Sequence, residues 1–252
     1  MIMCRQIYFP VIAAFWLAGV VADEKKQALK FAACVTLVST ITMALFVWQW
    51  HGLTPGYSQD INKFVGISLS GILHEFSMLG VLAIAYLPIF CADRRYYKNY
   101  FLLLWALAAL FSFILWASTF STPDFDAGRG GSVIWRIAGI TPSYHQHSWI
   151  ILFLSFLGMF SLLNMIFHAI FLRYYPIETI MLLCYFLSCA SQIFAFQRYV
   201  EIPILITYAV FGARVLHASR LSFAGPFLLA TSFGFITILR ISMKILGKTI
   251  TT

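Results

Sequence analysis

Apolar residues run in long unbroken stretches along this chain, and the polar residues gather in the gaps between them. About eight such runs are visible, at 7–21, 31–50, 67–92, 100–118, 149–172, 179–196, 202–216 and 226–246. Crossing roughly 30 Å of hydrocarbon takes about 20 helical residues. The run at 202–216 is short, which leaves seven or eight predicted spans. Lipid offers backbone groups no hydrogen-bonding partner, and no run alternates in the manner of a barrel strand, so every run is predicted as a helix. The expected fold is all-α: a polytopic transmembrane helix bundle forming one integral membrane domain over residues 1–252. Two longer connections interrupt it, 51–66 and 120–148.

Composition sharpens that picture. The chain is 61% hydrophobic and only 10% charged, with a mean hydropathy of +0.86. Soluble domains are closer to half apolar and a quarter charged, so the surplus apolar surface calls for lipid. The net charge of +8 would elsewhere suggest nucleic acid. Here the basic residues sit in the connections and read as topology signals, so no nucleic-acid partner is expected. Lys25, Lys26 and Lys30, then Arg94, Arg95 and Lys98, then Arg173, then Arg214 and Arg220 fall in short gaps on one side. That side is assigned to the cytoplasm. The amino terminus, the connection 120–148 and the segment Gln197-Arg198-Tyr199-Val200-Glu201 then face outward. The scattered cysteines show no metal-ligand spacing and read mostly as small apolar packing residues.

The candidate chemistry lies on the outward side. Gln197, Arg198, Tyr199 and Glu201 form a polar knot between two apolar runs. An arginine fork fits a phosphate bidentately, a glutamate three residues on is placed to pair with it, and tyrosine and glutamine supply a face and donors for a sugar. Arg5 and Gln6 open the first run at the same predicted level, so two guanidinium groups would flank one phosphate. The plainer reading of all of these is a set of interface residues that fix topology. The 120–148 connection offers Asp124 and Asp126, spaced for Mg²⁺ or Mn²⁺, with His145 and His147 as further ligands or bases. It also offers Arg129 and Arg136 for a head group. Ile134, Trp135, Ile137 and Tyr144 suggest that this loop folds onto the membrane surface. Within the third run, His74-Glu75 is an adjacent intramembrane pair. It is either a proton relay or substrate contact, or an interhelical hydrogen bond that holds the bundle together. Asn164, His168 and Arg240 read as bundle glue or snorkelling residues.

Several short stretches together resemble a known family. Arg5-Gln6-Ile7-Tyr8, Trp50-His51-Gly52-Leu53-Thr54-Pro55, Gly128-Arg129-Gly130-Gly131 with Trp135-Arg136, and Gln197-Arg198-Tyr199 with Glu201 resemble the carboxy-terminal half of multi-pass GT-C glycosyltransferases. The relevant relatives are bacterial proteins akin to family 39. The resemblance implies an enzyme of the cell membrane, in bacteria the inner membrane, whose active site faces outward. It implies transfer of a sugar from a polyprenyl-phosphate carrier to a glycan, lipid or protein acceptor. In that family the catalytic acidic residues lie in the first outward loop, ahead of the region resembled here. The chain would then be a split enzyme that needs a second multi-pass chain, a truncated product or a non-catalytic relative; its opening, Met1-Ile2-Met3-Cys4-Arg5, lacks the layout of a cleavable signal peptide, and an arginine on the outward side suits a chain that continues an amino-terminal half. For a base the chain itself offers Asp124, Asp126, Glu201 and His145. Two other functions fit the same sequence: a non-catalytic scaffold subunit, and a transporter or flippase of lipid-linked sugar using His74 and Glu75.

Overall fold

The computed structural model describes residues 12–13, 15–17, 19–20, 25–50, 67–92, 100–124, 129, 132–171 and 176–189, and single positions at 204, 227, 231 and 235. Its elements are helices α1 (Lys25–Trp50), α2 (Leu69–Ala92), α3 (Phe101–Ser118) and α4 (Val133–Ile140). A two-stranded hairpin follows, β1 (Ser143–Tyr144) and β2 (His147–Ser148), and then helices α5 (Trp149–Phe171) and α6 (Pro176–Cys189). Four of these helices, α1, α2, α3 and α5, are long and apolar enough to cross a membrane. The predicted spans 202–216 and 226–246 and the connection 51–66 lie outside the continuously described residues.

The observed helices follow the apolar runs closely. In α1 the helix begins six residues before the run predicted at 31–50, at Lys25. The added segment, Lys-Lys-Gln-Ala-Leu-Lys, is rich in good helix formers, and long lysine stems extend a span into the polar boundary. Much of α1 is exposed, including Leu37, Val38, Ile41, Leu45 and Trp48. Such an all-round apolar surface suits contact with lipid. It is tied to the chain before it by Trp16 Nε1, which donates to Thr36 Oγ1 at 2.9 Å.

Helices α2 and α5 share the largest interface among the described elements. Gly80 and Gly158 make it possible. A Cβ on Gly80 would overlap the carbonyl oxygen of Leu154, and one on Gly158 would overlap that of Phe76. The two backbones therefore touch, as small residues allow where no hydrophobic effect drives helices together. Around this crossing, Leu73, Leu79, Leu82, Ile151, Leu162 and Met165 form the buried core, and α6 adds Leu182, Tyr185 and Phe186. Helix α3 packs on the other flank of α5 through rings. Trp105 meets Phe156 at 4.8 Å, Phe101 meets Phe160 at 5.7 Å, and Tyr100 meets Phe167 at 5.2 Å.

The connection 120–148 departs from its expected form. Ile134 and Trp135 do not lie on a membrane surface; both are buried in the same core cluster as Leu73 and Ile151. The short helix α4 turns its apolar side down into the end of the bundle, because only there can the indole and the isoleucine shed water on every side. Tyr144, at the hairpin, does remain exposed.

Candidate functional site

The loop end of the bundle is where polar chemistry and burial coincide. A hydrogen-bonded clip fixes the loop there. Trp116, in the last turn of α3, donates from Nε1 to the carbonyl of Ser148 at 2.9 Å. His147 Nδ1 donates back to the carbonyl of Trp116 at 2.9 Å. A carbonyl only accepts, so this bond requires the proton on Nδ1. Ser121 closes the other side: its amide donates to Gln146 O at 2.9 Å, and its Oγ accepts from the Ser148 amide at 2.6 Å. Thr141 caps the end of α4 by donating to Ile137 O at 2.9 Å, and its hydroxyl lies 3.3 Å from that of Ser148. The hairpin turn is tight, with positive φ at both His145 (46°) and Gln146 (64°). This is the backbone form that two-residue hairpins prefer.

A second clip closes the front of the loop. Asp124 and Arg129 exchange both backbone hydrogen bonds, at 2.9 and 2.7 Å. The Arg129 guanidinium then folds back: Nη2 donates to Asp124 Oδ2 at 3.0 Å, and Nε donates to Thr122 O at 2.9 Å. It also sits 5.8 Å from the centre of the Phe120 ring, within cation–π range. Arg129 is therefore largely buried and already engaged by its own loop, whereas Arg136 is exposed on α4.

Beneath the loop lies the pair His74-Glu75, a turn and a half into α2. Both are buried, Glu75 to 1% exposure. The His74 ring stacks on the Trp135 indole at 5.4 Å, and His74 Nε2 shares a 2.9 Å hydrogen bond with Ser132 Oγ. Ser132 is also the N-cap of α4, its oxygen accepting from the Trp135 amide at 3.3 Å. One hydroxyl thus anchors the loop helix and holds the imidazole. One turn further along α2, Ser77 Oγ donates to Leu73 O at 2.8 Å and so satisfies itself within the helix.

Not every group here is satisfied. Both carboxyl oxygens of Glu75, Nδ1 of His74 and Nε1 of Trp135 are buried without a hydrogen-bond partner among the described residues. So are both side-chain polar atoms of Asn164, two-thirds of the way down α5. A buried polar atom left unmet costs about 1–3 kcal/mol. Natural cores hold few of them, and each calls for a cause. Four such atoms lie on three residues where α2 meets α4.

The sequence-derived candidates divide accordingly. Asp124, Arg129, Arg136, His145 and His147 lie in the folded loop, with Asp124 and Arg129 joined to each other. Arg5, Gln6, Asp126, Gln197, Arg198, Tyr199 and Glu201 lie outside the described residues, so the proposed gathering of Arg198 with Arg5 is not on view. No group of three or more His, Cys, Asp or Glu suited to a metal occurs among the described residues. His74 and Glu75 stand out in the sequence as a polar pair within an apolar run, yet the neighbours of His74, Ser132 and Trp135, do not. Those lie 58 positions and more along the chain, in a loop whose apolar residues fit a membrane surface equally well. Comparison with protein-family models, with curated proteins and with solved structures finds no match to this chain.

Proposed function

We propose that this chain is a membrane-embedded glycosyltransferase, or its donor-lipid-binding half, working at the loop end of the bundle. In this reading it crosses the membrane seven or eight times and takes a sugar from a polyprenyl-phosphate carrier on the extracytoplasmic face. The observation that carries it is a folded loop, bearing Arg136 at its surface, clipped over a buried His74-Glu75 pair. Such a cap excludes water where a lipid head group would meet the bundle, and charge stabilisation is strongest where water is excluded. The transfer needs two things: positive charge for the departing lipid phosphate and a base for the acceptor hydroxyl. Arg198, Arg5 and Arg136 answer the first. For the second, Glu75 joins Asp124, Asp126, Glu201 and His145 as a candidate, a role that the sequence does not assign to it. A divalent cation, Mg²⁺ or Mn²⁺, would share the first task.

Sugar transfer measured in membranes carrying Arg198→Ala tests this reading. Activity should fall at least tenfold; unchanged turnover would remove the phosphate-binding role. A second reading, a carrier of lipid-linked sugar, is favoured by the unmet Glu75 carboxyl within a membrane-length helix. Flux that depends on Glu75 in vesicles showing no transfer would select it. A scaffold subunit would tolerate both changes.

A further inference from the structure

The unmet atoms at the α2–α4 junction have a definite chemical character. Glu75 brings one oxygen that accepts in either protonation state and a second that accepts or donates, Trp135 Nε1 is a donor and nothing else, and His74 Nδ1 is a donor or an acceptor depending on the state of Nε2. All three side chains are at most 1% exposed. An anionic ligand fits this set poorly, because it offers no donor to the Glu75 oxygen that only accepts. A metal ion fits poorly too, because an indole N–H cannot ligate. A hydroxyl both donates and accepts, and it matches the set without conflict.

We propose that the junction beneath α4 is a binding site for an uncharged, hydroxyl-rich head group, held by Glu75, Trp135 and His74. Ser132 is the positioning residue: it holds the His74 ring at Nε2 and, through the helix cap, holds the start of α4 and with it Trp135. The hydroxyl donates to Glu75 and accepts from the indole. This deepens the transfer reading by naming the chemical class of the group taken up. Binding is read without any transfer, so failure of one and failure of the other are separate results.

The test uses the full chain in lipid nanodiscs with three amphiphiles of one tail length: octyl glucoside, octyl phosphate and octyl dimethylamine oxide. At equal loading, octyl glucoside should raise the unfolding temperature by roughly 2–4 °C more than the other two. The excess should vanish in Trp135→Phe, which keeps the stacked ring and removes only the N–H, and in Glu75→Gln. Equal shifts for all three amphiphiles in the wild-type protein would overturn the proposal. So would a glucoside excess that survives in Trp135→Phe, a variant chosen to fold even where Glu75→Gln does not. A phosphate excess would assign the junction to an anion instead and overturn it as well.

Discussion

Ser132 shows how much can rest on one small side chain. Its oxygen is the cap of α4 and the partner of His74. Ser132→Ala should therefore lower stability by about 2–4 kcal/mol, the sum of a lost cap and a newly unmet imidazole nitrogen. Thermal unfolding in detergent would show it, and Ser132→Thr, which keeps the hydroxyl, should recover most of the loss. Glu75 should behave in the opposite way. Its carboxyl has no partner among the described residues, so Glu75→Leu removes a burden and should leave stability unchanged or raise it by about 1 kcal/mol. Activity should be lost in the same variant. A marked fall in melting temperature would instead show the carboxyl to be structural. Sequence alone makes Glu75 conspicuous, because a carboxyl in an apolar run has few innocent explanations. It gives no sign of Ser132, a common residue in a loop.

The helices themselves are the most legible elements, since run length against hydrocarbon thickness places them, most closely α3 and α5. Phe101–Ser118 and Trp149–Phe171 each fall within one residue of their apolar runs at both ends. The loop is the least legible. Its hairpin turns through His145 and Gln146 at positive φ, without the glycine or asparagine that normally announces such a turn. Its apolar residues serve an interface or a core equally well on paper, and only the fold shows Trp135 to be core. The clip that holds the hairpin should be worth measuring as a unit. Trp116→Phe removes the donor to Ser148 O, costs about 1 kcal/mol, and should speed amide exchange across 143–148 while leaving α2 unchanged. Between helices the sensitive point is different. Gly80→Ala forces a methyl group into the Leu154 carbonyl, and should cost about 1–3 kcal/mol as the helices move apart. Its melting temperature in detergent, compared with that of an exposed control such as Leu103→Ala, would show it.

For the whole molecule, the function proposed above would make the folded loop the working end, and the short basic gaps predict that this end faces outward. A cysteine placed at the exposed Tyr144 should react with a membrane-impermeant maleimide in intact cells, over the background of the parent chain. Labelling only after permeabilisation would invert the topology. The abundance of Phe and Trp on outer surfaces, such as Phe111, Phe113 and Trp48, is what composition leads one to expect of a lipid-solvated chain.

Where Gly80 and Gly158 bring two backbones together, there is no side chain left to yield. Any relative movement of these two helices must then be a rocking about that point, like the blades of shears about their rivet. Widening above the rivet, where α4 covers the pair, would narrow the same interface on its far side.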